Sequence, residues 1–323
     1  METYLNKWFT VLQGMSNDNT YKLAWGRAII ELVQLEKYEI SENNIVIEFT
    51  DIAHMMLKYY WNQSFFFNLV QSANHSKPPV IYQIVNKLIA YYKEYSKSTI
   101  PIWFNKAEDF FSKHKIVYDK SISKIVSVLK QDVCWRFNYA HQIDYKLYQL
   151  NEQKNKVYIF IEDLKVIQDY GKFLTPIIIY KWSQLLEQFN RSPRIVSKVK
   201  GSQENKIKRS NLQRYKELLL LQYQNNDIKD FYTDQVISLD DISIDHVIPW
   251  SFMYSDDLWN LVITTKSYNS SKSNHVPTLE QINKLKNRNL ELVNLLNDEK
   301  STNALMESIR NDYLTKYYYD LII

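Results

Sequence analysis

Apolar residues recur at helical spacing along most of the chain. Between positions 21 and 33, Leu23, Ala24, Ala28, Ile29, Leu32 and Val33 form one stripe, and the Asn17-Asp18-Asn19-Thr20 run ahead of them supplies N-cap side chains, predicting a helix that starts near Thr20. Ile45-Val46-Ile47 is a short β-prone run. Thr50 or Asp51 then opens a helix carrying Ile52, Met55, Met56, Tyr59 and Tyr60. Pro78-Pro79 breaks the chain before a helix over 80–95, and Pro101 precedes helical stretches at 102–113 and 122–128. The run KVYIFI at 156–161 predicts a second strand. A helix over 162–169 follows, then a turn bracketed by Gly171 and Pro176, then a helix over 177–189.

The pattern changes after residue 210. Leu212, Tyr215, Leu218, Leu219 and Leu221 predict a helix with Arg214 and Lys216 on its outer face. Ile242-Ser243-Ile244 reads as a strand ending at Asp245-His246, and Val247-Ile248-Pro249-Trp250 supplies an apolar floor. LWNLVI at 258–263 reads as the returning strand, with a helix from Ser267 onward. Amphipathic helices follow over 278–285, 290–296 and 302–319. Leu290, Leu292, Val293, Leu295, Leu296, Leu305, Met306, Ile309 and Tyr313 are expected to pack on the preceding module, while the closing TKYYYDLII also suits a partner interface. The fold class expected is mainly α with short strands. It divides into a helical recognition or regulatory domain at 1–190, a basic linker at 191–211 and a second domain at 212–323 that ends in helices.

Composition narrows the chemistry. A length of 323 residues suits roughly two domains of about 150 residues each. Only four glycines are present, and neither G-x-x-x-x-G-K nor G-x-G-x-x-G occurs, which argues against a phosphate-cradling glycine loop. Cys134 is the single cysteine, so no internal disulfide or cysteine zinc site can form, and a reducing cytoplasm is the expected compartment. The N-terminus lacks a basic segment followed by an apolar run, and no apolar stretch approaches the ~20 residues of a membrane span, so no membrane partner is expected. His54, His75, His114 and His141 are scattered without acids or cysteines at ligand spacing. The pairs Tyr59-Tyr60 and Tyr91-Tyr92 could stack on bases but suit a core at their helical spacing. Nothing in the first 190 residues distinguishes reading a target, docking a partner and sensing a signal.

The net charge of +4 is mild, but its distribution is not. Arg191, Arg194, Lys198, Lys200, Lys206, Lys208, Arg209, Arg214 and Lys216 stand against one acid, Glu204. Such a run neutralises phosphates and releases counterions, or serves as a solvated linker, particularly over 198–205, where a Gly-Ser step falls.

The stretch SIDHVIPWSFMYSDDLWNLVITTKSYNSSKSNHVP at 243–277 carries the candidate chemistry. Asp245-His246, Asn260 and Asn269 follow at separations of 260 − 246 = 14 and 269 − 260 = 9 residues, with Lys272 close behind. Phosphodiester hydrolysis needs an activated water and neutralisation of the phosphoryl oxygens. An imidazole titrating near neutrality suits a general base, which assigns that role to His246, with Asn260 or a backbone carbonyl holding its second ring nitrogen. Asp245 and Asn269 offer hard oxygen ligands, favouring Mg²⁺ or Mn²⁺, and Lys272 is expected against the phosphate. His275 remains as either an additional ligand or a surface side chain.

These residues resemble the HNH (ββα-metal) nuclease motif. The resemblance rests on Asp245-His246 with the following Ile-Pro, on Asn260 in W-N-L-V, and on Asn269-x-x-Lys272. The spacing is similar to the HNH domain of RNA-guided CRISPR effector nucleases, which shows D-H-x-x-P-x-S-F, a D-D pair, a middle Asn and N-x-x-K-S. The layout as a whole resembles small bacterial HNH proteins of restriction and phage-defence type. The resemblance implies a C-terminal ββα-metal module wrapped by the final helices, and a metal-dependent DNA endonuclease with Asp245 and Asn269 on the metal, His246 as base and Asn260 orienting it. A regulated effector that is silent without a partner protein and an RNA-cleaving toxin are the alternatives, and the partners expected besides DNA are a partner protein or a second copy in a homodimer. Many relatives carry two C-x-x-C pairs around a structural zinc. The comparable places here, around Asp230-Phe231-Tyr232-Thr233 and Ser267-Tyr268-Asn269, have no cysteine, so no structural zinc is expected and aromatic packing must replace it.

Overall fold

The computed structural model describes residues 3–74, 76–204, 211–224, 226–272 and 274–322. Two compact units divide the chain, one of residues 1–190 with 195–206 and one of 191–194 with 207–323. The first begins with α1 (Tyr4–Gly14), where the Thr3 hydroxyl accepts the Asn6 N–H as an N-cap. Thr20 precedes α2 (Tyr21–Gln34), but its hydroxyl does not cap the helix. It is buried and donates to Gln71 Oε1 at 2.8 Å, joining a polar network that includes Tyr60. The short strands β1 (Glu39–Ser41) and β2 (Asn44–Glu48) lead into α3 (Phe49–Phe67), which starts just ahead of the expected cap because β2 runs directly into it.

The unit continues through α4 (Val80–Ser96), α5 (Phe104–Lys113), α6 (Lys115–Val128) and α7 (Cys134–Arg136). A two-residue hairpin joins β3 (Tyr139–Ala140) to β4 (Ile143–Asp144), and β5 (Gln149–Leu150) and β6 (Lys156–Phe160) follow. The sheet order is β1-β2-β6-β5, antiparallel, with Ile45 opposite Ile159 and Ile47 opposite Val157. All four side chains are buried, as β-branched residues on a covered face should be. Tyr59, Tyr60 and Tyr92 are buried too, so these tyrosines belong to the core and present no stacking platform. His54 packs on Phe104 and Tyr118, and burial holds its imidazole below its ordinary range. His75 lies outside the described residues.

Two expectations for this unit are corrected. The turn between Gly171 and Pro176 does not exist: α8 (Ile161–Phe189) runs through both residues for 29 positions. A Cβ on Gly171 would stand 2.9 Å from Ile30 Cγ2 and 2.8 Å from Gln34 Nε2, so glycine is there to let α8 approach α2 closely. The supposed linker is also helical over part of its length, as α9 (Ile195–Glu204). Ile195, Val199 and Ser202 form a buried stripe, and the Ser202 carbonyl accepts the Asn62 side-chain amide. Lys198 lies on that same inward face, 0% exposed, with its ammonium 6.0 Å from the centre of the Phe67 ring. A side chain held in this way is withdrawn from any phosphate, so Lys198 leaves the set of nucleic-acid contacts.

In the second unit α10 (Gln213–Leu220) precedes β7 (Ile242–His246), the short α11 (Trp250–Met253), β8 (Leu261–Thr265) and α12 (Lys266–Lys272). Strands β7 and β8 pair antiparallel, with Asp245 opposite Val262 and His246 opposite Leu261. The expected strand over 258–263 is displaced: Leu258–Asn260 form a turn of 3-10 helix and pairing starts at Leu261. The tail forms α13 (Leu279–Leu292), α14 (Glu299–Arg310) and α15 (Tyr313–Ile322). A full capping box between Thr278 and Gln281 fixes the start of α13. Ile282, Leu285, Leu292, Leu296, Leu305 and Leu314 join Val247, Ile248, Leu258, Trp259 and Leu261 in one core, so the final helices wrap the β7–β8–α12 module. Leu290, Leu295 and Met306, expected inside, face solvent; for Leu290 the reason is that α13 joins the helices expected over 278–285 and 290–296 into one, whose inward stripe is Ile282, Leu285, Asn289 and Leu292.

Candidate active site

The last two residues of β7 are Asp245 and His246, and neighbouring strand residues point to opposite faces. The Asp245 Oδ2 accepts a hydrogen bond from the Tyr232 hydroxyl at 2.6 Å and one from the Lys272 ammonium at 2.7 Å. His246 turns elsewhere, with its Nε2 3.0 Å from Asp256 Oδ1. Both side chains are nearly buried, at 8% and 7% exposure. The Asp256 carboxylate comes from the segment between α11 and β8, and its own backbone carbonyl is held by the Tyr215 hydroxyl of α10. An acceptor on Nε2 makes that nitrogen the N–H bearer in the neutral ring, leaving Nδ1 with a lone pair to take a proton. Asp256 therefore has the place expected of Asn260.

Asn260 itself is fully committed. Its side-chain carbonyl accepts the Ile248 N–H and its amide donates to the Ile248 C=O, both at 2.8 Å. A two-point clamp on the backbone two residues beyond His246 fixes the path of the chain leaving β7, so Asn260 acts on the strand end and does not touch the imidazole. Beyond it, Arg288 of α13 donates to the Leu261 carbonyl at 2.6 Å and Asn289 donates to the Trp259 carbonyl at 2.9 Å, which anchors the turn carrying Asn260. Burial lowers the Arg288 guanidinium from its ordinary range to about 9.

Asn269 sits in α12 and donates its Nδ2 to Ser243 Oγ at 2.7 Å and to the Ile244 carbonyl at 3.2 Å. A carbonyl accepts only from a donor, so the nitrogen must face β7 and the Oδ1 must face away. Asn269 is thereby pinned to the residue preceding Asp245, with its oxygen left for another partner. Lys272 departs from its expected position. Its ammonium is buried between Asp245 Oδ2 and the His246 carbonyl at 2.6 Å, where it stands over the Tyr232 ring, and it is not displayed towards solvent. Burial pulls its pKa below the ordinary lysine range against the opposing pull of Asp245. Burial and the Asp245 charge raise the Tyr232 hydroxyl far above the phenol range, so it remains a donor at every working pH. His275 is exposed, and its ring bonds the Lys272 carbonyl at the end of α12, where it serves as a helix terminus contact.

The place of the missing cysteines is filled mainly by a carboxylate. Asp230 is 1% exposed. Its Oδ1 accepts the Tyr232 and Thr233 N–H groups, while its Oδ2 accepts the Thr264 hydroxyl and the Thr265 N–H, all between 2.7 and 2.9 Å. Tyr232 and Tyr268 stack at 4.5 Å, which is the aromatic packing the sequence predicts, but it is Asp230 that ties the loop to β8. Burial raises the Asp230 pKa and these donors lower it, with the donors prevailing. A carboxyl held below its unfolded value near 3.9 contributes stability above that pH and loses it as the pH falls through the folded value. Asp230→Asn is therefore expected to lose about 2 kcal/mol at pH 7. Urea unfolding of both proteins across pH should show the gap narrowing as the pH falls below about 4; a gap that does not change with pH contradicts this account.

Most of the remaining basic positions are exposed. Arg191 and Lys200 are exposed, Arg194 is exposed 3.9 Å from Asp257, Arg214 is exposed beside Tyr215, and half-buried Lys216 reaches the Leu239 carbonyl. Lys206, Lys208 and Arg209 lie outside the described residues. Sequence reasoning missed Asp256, Tyr232 and Asp230. The Asp256-Asp257 pair inside the motif was the available signal for the first.

Asp245 and His246 thus stand at the end of β7, Asn260 in the turn that leads into β8, and Asn269 on α12. Residues 230–278 match the family model of the HNH endonucleases. An HNH domain implies a nuclease acting on nucleic acid, and HNH nucleases generally depend on a divalent metal. The match begins at Asp230 and so includes both the carboxylate staple and Tyr232. Among the described residues of the whole chain, no three His, Cys, Asp or Glu side chains cluster as a metal cage. The HNH donor set fits a hard divalent ion all the same. Asp245 Oδ1 and Asn269 Oδ1 are oxygens without hydrogen bonds among the described residues, and Mg²⁺ is commonly held by one or two protein ligands with substrate phosphate and water completing its shell.

Proposed function

We propose that this protein is a DNA endonuclease that hydrolyses phosphodiester bonds with His246 as general base, working in restriction or anti-phage defence. The observation carrying the proposal is the His246–Asp256 pair standing one residue from the Asp245 carboxylate at the end of β7. With Asp256 on Nε2, the opposite ring nitrogen is the one that takes a proton from water. Asp245 and Asn269 would hold one Mg²⁺ or Mn²⁺, which supplies Lewis-acid stabilisation of the phosphoryl and leaving oxygens when bound.

This chain's own residues do the rest. Tyr232 and Lys272 fix one Asp245 oxygen through two hydrogen bonds, directing the other outwards. Asn260 clamps Ile248 and so prevents the strand end from drifting, and angstrom-scale misplacement is costly in a catalytic site. Arg191, Arg194, Lys200, Arg214 and Lys216 attract the phosphate backbone, an effect that weakens with salt.

The test is a panel of supercoiled plasmid, single-stranded DNA and RNA, each incubated with Mg²⁺, Mn²⁺ or a chelator. Plasmid nicking with either metal and none with chelator is the expected result. Intact substrates in every lane contradict the proposal, and cleavage of RNA alone redirects it to a ribonuclease.

A further inference from the structure

A cleft of about 730 Å³ opens in the second unit on the far side of Asp256. Its walls combine apolar and aromatic surface with charge, including Trp259, Tyr317, Arg194, Arg214 and Lys300. Tyr317 lies parallel to the buried Trp259 ring, with centroids 6.0 Å apart and planes within 16°, and is itself half-buried. The acids of the cleft are already engaged. Asp256 faces His246, Asp257 accepts the Ser255 hydroxyl at 2.6 Å, and Glu307 accepts the Tyr313 hydroxyl at 2.7 Å. Two cations face solvent: Arg214, which donates to the Tyr215 hydroxyl at 2.8 Å, and Lys300, whose charge acts on the exposed Asp298 carboxylate. A cavity with aromatic walls, hydrogen-bonded acids and two exposed cations suits a ligand that is planar at one end and anionic at the other.

We propose that this cleft takes one nucleotide of the substrate DNA strand, with its base against Tyr317 and its phosphate between Arg214 and Lys300. The inference rests on the nuclease reading for the identity of the strand. Its position follows from Asp256, which lines the cleft and also bonds His246, so the bound nucleotide is a near neighbour of the one that is cut. Stacking on an aromatic face tolerates every base, and each phosphate contact adds affinity that falls with salt. The cleft would therefore grip and orient a strand without reading its sequence.

The test uses the full chain carrying His246→Ala, kept with chelator, and a fluorescently labelled hexamer of deoxythymidylate followed by anisotropy. Adding Tyr317→Ala is expected to weaken binding roughly tenfold, and Tyr317→Phe, which keeps the ring, to leave it unchanged. Lys300→Gln should weaken binding several-fold and reduce the slope of log affinity against log salt by about 0.7. Lys229→Gln, outside the cleft, should do neither. Binding by Tyr317→Ala and Lys300→Gln at the parent's affinity overturns the proposal, as does a parent that fails to bind. The two readings fail separately. Strand binding with this pattern in a chain that cuts nothing refutes the nuclease and leaves a nucleotide site; metal-dependent cutting with unaffected cleft variants refutes the cleft alone.

Discussion

His246→Ala is expected to lower metal-dependent plasmid nicking by about 10³-fold, within the ~10²–10⁴ range for loss of a general base. The imidazole is nearly buried and its Nε2 is taken by Asp256, so truncation to alanine removes the proposed base together with its orienting contact. Mn²⁺ binding by calorimetry should be unchanged, because the oxygens assigned to the metal belong to Asp245 and Asn269. Asp256→Asn should fall between the two proteins: an amide still contacts Nε2, but it neither stabilises an imidazolium nor selects one tautomer. Nicking by His246→Ala at the parental rate would remove His246 from the mechanism. Loss of metal binding in the same variant would show that the imidazole is a ligand and not the base.

Lys272→Ala is expected to destabilise the second unit by about 3 kcal/mol, since deleting one member of a buried ion pair strands the other. Asp245 would keep the Tyr232 hydroxyl but lose the 2.7 Å ammonium, and the His246 carbonyl would lose its 2.6 Å donor. Lys272→Arg introduces a planar head into a space shaped for a point charge and should recover only part of the loss. A divalent ion can neutralise the stranded carboxylate, so Mg²⁺ should raise the unfolding midpoint of Lys272→Ala more than that of the parent. Urea titrations with and without Mg²⁺ measure both effects. If the variant unfolds at the parent's midpoint without metal, the Lys272–Asp245 pair does not support the fold.

The two experiments separate jobs that the motif places side by side. In the proposed mechanism His246 acts through a nitrogen set by Asp256. Lys272, expected against a phosphate, is instead committed to the protein, where it balances the Asp245 charge. On the proposal above, phosphate contact falls to exposed cations, and Arg214 and Lys300 line the same cleft as Asp256.

The sequence by itself determined the elements that carry Asp245, His246 and Asn269. Asp245-His246 closes a short apolar strand, Asn269 and Lys272 lie on the helix that follows, and β-prone runs with the Pro78-Pro79 break placed β2, α4, β6 and β7. These features are local: they depend on residues a few positions apart, whose spacing is visible in one dimension. Tertiary structure decided what depends on approach between distant segments. Gly171 reads as a turn until α2 is seen to need its missing side chain. Lys198 reads as a phosphate contact until α9 turns it inward. Asn260 and Asp256 are both polar residues between apolar runs, and nothing in their spacing says which one meets the imidazole. The choice is made by the 3-10 turn at Leu258–Asn260, which turns the Asn260 amide onto the Ile248 backbone and leaves Asp256 beside His246. Asp230 replaces a metal staple with four hydrogen bonds to residues 2, 3, 34 and 35 positions away, a closure that exists only once β8 has folded back against its loop.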